Sequence, residues 1–418
     1  MVFLWHNRII SIHVLYGYFF CKSDIFCKKN IIIFHLLIII KRVIIKTVRF
    51  VFENAIEVLK LIEKHGFEAY IVGGYVRDIY LSKTSTDIDI CTNAKPMDLV
   101  KIFKRNIIID ENYGSVKLEY KKSHFDITTF RKDFKYKNNR KPSKIEYVND
   151  LEEDLYRRDF SINTMCMDKD GNIIDMFNAK KDIQSKTIRC IGDSNEKIEE
   201  DSLRILRAVR FACTLNFNID KKLDKSIKKH IKLLENLSFH RKKSELNSIF
   251  RSNNYKYGLD LISKYKLDKY LEISKYKNIK KTSDVLGMWA QLDFSSNYPF
   301  SKLEMETIKK IREILVYGKI DSYILYKYGN CITLTVGEIF DIDKKEILDN
   351  YAKLPIFKKD DIKIGILDIS SLLNMEPSKY IRDILDEIEY KIIKGELENS
   401  ENILKQYVIE KYGDKNER

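Results

Sequence analysis

Residues 69–90 read AYIVGGYVRDIYLSKTSTDIDI. A short apolar run breaks at two glycines, passes through Arg77 and Asp78, and ends on Asp87 and Asp89 with one residue between them. Neighbouring carboxylates repel, and burying a charge is costly unless it is paired or binds a metal. In a strand, residues i and i+2 share a face. Asp87 and Asp89 therefore project together while Ile88 and Ile90 turn to a core. Such a pair suits Mg²⁺, a hard cation that prefers oxygen ligands. Two metals about 3.5–4 Å apart can clamp an in-line phosphoryl displacement. A solvated strand end carries the same pattern, so these two residues alone leave both readings open.

Gly73 and Gly74 narrow the choice. Lacking Cβ, they let backbone amides approach a phosphate closely. They sit between a predicted strand (EAYIVGG) and a predicted helix (YVRDIYL), whose N-terminus offers free N–H groups. Arg77 follows within the first turn. An ordinary tight turn has the same look, and the spacings of the P-loop and of the dinucleotide fingerprint are both absent.

The chain has 418 residues and a formal net charge of +14. This length gives two to four domains, and this charge points to an anionic partner, nucleic acid first, against the plainer explanation of lysine-biased composition. Only five prolines and 15 glycines occur, as in a helix-rich protein. Seven cysteines form no CxxC pair and seven histidines complete no zinc spacing, which fits a reducing, cytosolic compartment.

Residues 1–49 stand apart as an atypical N-terminal extension. Its apolar runs, IISIHVLYGYFF and IIIFHLLIII, are each too short for the ~20 residues a bilayer span needs, so no stable membrane association is expected. From residue 50 to about 180 the pattern is a small mixed α/β domain. FENAIEVLKLIEKHG is a helix capped by Gly66, TDIDICT a second strand, PMDLVKIFKRN a helix, and SVKLEYKK and HFDITTFR alternating strands. Residues 181–250 and 251–418 read as amphipathic helices. Lys264–Lys281 interleaves lysine with tyrosine, either a basic face with aromatic platforms for RNA or a solvated helix face with tyrosines packed beneath.

Asp201 and Arg204 in EDSLR are i and i+3, so on a helix they share a face. A carboxylate accepts and a guanidinium donates in a planar fork. Together they can read the Watson–Crick edge of C or A. The competing reading is a helical ion pair from Glu200 to Arg204.

GGYVRD followed by DIDI resembles the opening motif of class II CCA-adding enzymes and bacterial poly(A) polymerases, within the DNA polymerase β nucleotidyltransferase superfamily. RRDFSIN (157–163) is similar to their second motif, EDSLRILRAVRF (200–211) to their nucleotide-selecting motif, and DFKYKNNRKP (133–142) to their flexible loop. The resemblance spans roughly residues 51–250. It implies an α+β fold: a polymerase-β-like head, a mixed sheet with helices, followed by an all-α neck, body and tail. It implies that Asp87 and Asp89 hold catalytic Mg²⁺ and that Gly73, Gly74 and Arg77 lie against the triphosphate. Arg157, Arg158, Asp159 and Asn163 would contact triphosphate and ribose. Asp201 and Arg204 would bond the incoming base, with Arg207 and Arg210 supporting them. Asp126, in HFDITTFR, is the candidate third carboxylate, against an exposed strand residue.

Two motifs depart from the family pattern. DMFNAKKDI (175–183) keeps Asp175 and Asp182 but lacks the glycines that follow the first aspartate. HRKKSEL (240–246) keeps Arg241 and Glu245 but places His240 where glutamate is usual. No phosphohydrolase domain follows the core. The resemblance implies a cytoplasmic enzyme that adds or repairs the 3′ CCA of tRNA from CTP and ATP, gripping the acceptor–TΨC arm by shape and phosphates. Poly(A) addition or a split CC- or A-adding activity shares the chemistry. A catalytically inactive RNA-binding protein is the alternative from another class. The flexible-loop sequence argues against a pure CC-adding enzyme, and the intact Asp87 and Asp89 argue against an inactive one.

Overall fold

The computed structural model describes residues 46–110, 114–137 and 141–413. The extension expected over 1–49 lies outside them up to residue 45, as do Cys21 and Cys27. The chain forms two compact units: residues up to 134 with 144–180, and 135–143 with 181–418.

The first unit begins with α1 (46–64), which ends at Gly66 with φ of 87°. This left-handed turn is a common helix stop for glycine. Val58, Leu59 and Ile62 are fully buried. There follow β1 (Ala69–Val72), α2 (Gly74–Tyr80), β2 (Asp89–Thr92), α3 (Pro96–Phe103), β3 (Ile107–Asp110), β4 (Ser115–Tyr120) and β5 (Ser123–Thr129). Next come β6 (Arg131–Lys137) and β7 (Lys141–Tyr147), of which residues 135–143 count with the second unit, then α4 (Leu151–Tyr156), β8 (Cys166–Met167) and β9 (Ile173–Ile174). Seven strands form one sheet in the order β3-β4-β5-β2-β1-β8-β9. β2 and β5 are parallel and their neighbours antiparallel, so the sheet is mixed. Lys121 and Lys122 turn β4 into β5 with φ of 48° and 65°, as a two-residue hairpin requires. Asn54 of α1 ties down that turn by donating to Ser123 Oγ at 2.9 Å.

Alternation decides which residues meet water. Ile90 pairs with Ile127, Ile127 with Val116, and Phe125 with Leu118. All five are buried on one face. On the other face Cys91, Val72 and Cys166 are covered by Phe130 and by Leu151 and Leu155 of α4. Two residues before Cys91 the same face is open, and there Asp89 stands exposed.

The flexible-loop stretch is more ordered than a loop: the backbones of β6 and β7 pair as a separate two-stranded ribbon. Its tip, 138–140, lies outside the described residues.

The second unit is mainly helical, with α5 (Ala179–Gln184) leading into it. β10 (Thr187–Ile188) pairs with β11 (Asn218–Ile219) around α6 (Ser194–Glu200) and α7 (Leu203–Leu215). Then follow α8 (Lys221–His230), α9 (Phe239–Arg251) and α10 (Tyr255–Lys264). Gly258 lets α10 press against its neighbours: a Cβ there would lie 2.5 Å from Ile249 and 3.0 Å from the Cys213 sulfur. Lys264–Lys281 is not one helix face. It breaks into α11 (Asp268–Leu271) and the short strand β12 (Ile273–Ser274), with Tyr265 and Tyr276 buried. Of its two readings, the packed tyrosines hold and the single helix does not. Beyond it, Trp289 on α12 (Val285–Ala290) anchors an aromatic cluster with Phe250, Phe294, Tyr298 and Phe300 at centroid distances of 4.9–5.5 Å. Further helices continue to Tyr412, and among the last of them Ile369, Ile384, Ile388, Leu404 and Val408 share a core.

Candidate active site

In the first unit, Asp87 precedes β2 rather than lying in it, a correction to the expected strand TDIDICT; the strand starts at Asp89. The alternation nonetheless holds, since Asp87 and Asp89 are exposed and Ile88 and Ile90 buried. Asp89 is in register with Asp126 on the parallel neighbour β5, so the two carboxylates share a face and a row. Burial against the sheet, then repulsion from Asp87 and Asp126, pushes the Asp89 carboxyl up to about 6, with Arg158 pulling the other way. Two hard oxygen donors that repel each other, with a third in register, suit a divalent cation. Among the described residues, no three His, Cys, Asp or Glu side chains already converge to ligate one.

Gly73 and Arg158 adjoin this row. Gly73 has φ of 81°, a conformation open essentially to glycine. A Cβ there would point between Arg158 Nη1 at 3.7 Å and Asp89 Oδ2 at 3.8 Å. Its absence leaves space between a guanidinium and a carboxylate. α2 has only seven residues, so its dipole is short and the glycine geometry contributes more.

Arg77 is buried, with its Nη2 3.6 Å from where Gly74 would carry a Cβ. Its Nε donates to Asp78 at 2.9 Å and its Nη1 to Asn163 Oδ1 at 2.6 Å. Asn163 in turn donates to Asp159 at 3.1 Å, and Asp159 also accepts from the Phe160 amide. These residues of the second motif thus form a chain that orients Arg77. Arg157 and Arg158 both donate to Asp154, at 2.9 and 3.2 Å. Asp154 is fully buried. Burial alone would raise its carboxyl, but the two guanidiniums outweigh that and hold it below the usual range. Sequence reasoning missed Asp154. The signal was its spacing, three and four residues before Arg157 and Arg158 on α4 and the turn that ends it.

In the second unit, Asp201 and Arg204 do not share a continuous helix face as expected. Asp201 is extended (φ −142°, ψ 102°) between α6 and α7. Its carboxylate accepts from the Leu203 amide at 3.1 Å, and Arg204 lies in the first turn of α7. Burial raises the Asp201 carboxyl, partly offset by that amide and by Arg204, Arg241 and Arg207 nearby. Arg204 donates to Glu200 and to the Lys197 carbonyl, both at 2.9 Å. The Glu200–Arg204 ion pair therefore exists, and it holds the guanidinium at the start of α7. Arg210 lies 3.0 Å from Glu245 and over the Phe211 ring at 4.3 Å; Arg207 is 5.4 Å from the same ring. Arg241 and Glu245, the retained residues of the departing fifth motif, thus interact with the stretch 200–211.

The glycine-free third motif has its own solution. Asn178 adopts φ of 58°, the left-handed region that asparagine tolerates best after glycine. Asp175 caps α5 by accepting from the amides of Ala179 and Lys180. Asp182 is paired with Arg189 at 3.1 Å, and Arg189 reaches on to Asp220 at 3.0 Å.

Among the described residues, no helix is long and apolar enough to cross a membrane. The family model "Poly A polymerase head domain" matches residues 69–189, "Probable RNA and SrmB- binding site of polymerase A" matches 216–275, and a model of tRNA nucleotidyltransferase domain 2 matches 279–408. The CCA-adding enzyme of Ligilactobacillus salivarius is 33% identical over 84% of this chain and 95% of its own length. That of Bacillus subtilis is 30% identical over 86% and 98%. The crystal structure of the Bacillus stearothermophilus CCA-adding enzyme in complex with CTP superposes with a TM-score of 0.78 at 25% identity, covering 86% of this chain and 97% of that one. On the strength of identity across nearly the whole length of these relatives, and of a mixed-sheet head carrying paired carboxylates beside a glycine turn, this chain belongs to the CCA-adding enzyme family of tRNA nucleotidyltransferases.

Proposed function

We propose that this chain adds or repairs the 3′-terminal CCA of tRNA from CTP and ATP, without a template and with release of pyrophosphate. The observation that carries this reading is the open row of Asp89 and Asp126 with Asp87 beside it, flanked by Gly73 and Arg158. The family's nucleotidyl transfer needs a divalent metal. We assign it as Mg²⁺, held by Asp87 and Asp89, where it would supply charge stabilisation to the transferring phosphoryl group.

The protein's own groups do the rest. Gly73 leaves room for a polyphosphate. Arg158, fixed by Asp154, gives that space positive charge without having to reorganise. Arg77, held by Asp78 and Asn163, adds a second oriented guanidinium. Asp126 is placed to accept the proton of the RNA 3′-OH. Asp201 and Arg204 read the Watson–Crick edge of the incoming base, and Glu200, Arg207, Arg210 and Glu245 keep them in place. The acceptor–TΨC arm would be held by the helical unit.

The test is incorporation. With Mg²⁺ and tRNA lacking its 3′ CCA, the protein is expected to add two C from CTP alone, and then a single A once ATP is supplied. Asp87→Ala should abolish transfer and leave tRNA affinity largely intact. An open-ended A tail, or addition of C only or A only, would replace the CCA reading with poly(A) or split activity. Transfer surviving in Asp87→Ala would remove the metal assignment.

A further inference from the structure

Strand register places one cation in the row of catalytic carboxylates. Asp89 on β2 pairs with Asp126 on β5, Asp126 pairs with Lys117 on β4, and Lys117 pairs with Ile108 on β3. Residues directly opposite across strands lie on the same face, about 4.5–5.5 Å apart at Cβ. All four are exposed, Ile108 to 70%. Glu119 and His124 form the next row on that face and are also exposed. Although Lys117 is the cross-strand neighbour of Asp126, it enters no ion pair among the described residues. Lys121, four residues on, does pair, with Glu57.

The order of strands says which substrate this lysine meets. Gly73 ends the β1 connection and sits against Arg158, so the triphosphate side of the site is the β1 side of Asp89. β5 and then β4 lie on the opposite side. In an in-line displacement the leaving and attacking oxygens are on opposite sides of the transferring phosphorus. The attacking 3′-OH therefore arrives over β5 and β4.

We propose that Lys117 is a substrate-contacting residue for the acceptor strand, its ammonium binding the last phosphodiester of the RNA 3′ end. Ile108 offers the adjoining nucleotide an apolar surface. This inference rests on the nucleotidyl-transfer reading above. The fourfold row Asp89–Asp126–Lys117–Ile108 thus divides into metal-binding, proton-accepting and acceptor-binding positions, read from β2 outward.

Steady-state kinetics on the full chain tests it, with CCA-less tRNA, CTP and ATP varied separately. Lys117→Ala is expected to raise KM for the tRNA by about tenfold, as for a lost charge-assisted bond, with KM for CTP and ATP unchanged. The slope of log KM against log salt should fall by about one, as for a single lost phosphate contact. Lys117→Arg should restore both. A melting temperature equal to wild type verifies the fold, and Lys117→Gln serves where the alanine variant is unstable. Three outcomes would overturn the assignment: a rise in nucleotide KM instead, no change in any KM, or a shift of the acid limb of the pH profile alone, which would mean that Lys117 acts only on Asp126. Absence of transfer by the wild-type protein would instead reject the enzymatic reading.

Discussion

Asp89 keeps its proton up to about pH 6 because it is packed against the sheet and repelled by Asp87 and Asp126. The folded chain therefore binds that proton more tightly than the unfolded chain. The resulting penalty is absent below the unfolded value near 4, grows as pH rises, and is complete above 6. A cation between the carboxylates cancels it. Asp89→Asn should thus stabilise the metal-free protein by about 1 kcal/mol at pH 8, the group being open to solvent screening, with no difference at pH 4, while nucleotide transfer is lost. Urea denaturation at the two pH values, without and with Mg²⁺, measures this. A variant less stable than wild type at pH 8 would contradict the repulsion.

At the scale of elements, α4 does two jobs. Leu151 and Leu155 cover the sheet beside Cys91 and Cys166, and Asp154 clamps the two arginines of the second motif. Asp154→Ala should destabilise the protein by about 3–5 kcal/mol, the usual consequence of stranding buried charge, and should raise KM for nucleotide because Arg158 loses its anchor. Denaturant midpoints and KM report the two effects. Stability within about 1 kcal/mol of wild type would show that the arginines find other partners. α4 itself was not legible, whereas much of β2 and of the turn after β1 was. The period-2 alternation through Ile88 and Ile90 identified the buried face, and the adjacent glycines located the turn. The connection of Asp201 was not legible, because three-residue spacing suits a helix face and an extended link between two helices equally well. What decides between them is the amide of Leu203, free at the start of α7 to bond the carboxylate.

For the whole molecule, the net charge of +14 predicts tRNA binding that weakens steeply with ionic strength. Between about 50 and 200 mM salt the affinity should fall at least ~10-fold. Equilibrium binding at several salt concentrations tests this, and a flat response would mean that the lysines serve solubility alone. The sequence by itself determined the family, the candidate carboxylates Asp87 and Asp89 and the alternation that exposes them, because motif order and local periodicity are properties of the chain. Only the tertiary structure decided that Asp126 and Lys117 stand in the same row as Asp89, since strand pairing joins residues far apart in sequence. Only it showed that Asp154 is the buried partner of two arginines, since desolvation depends on what packs around a side chain and not on its neighbours along the chain.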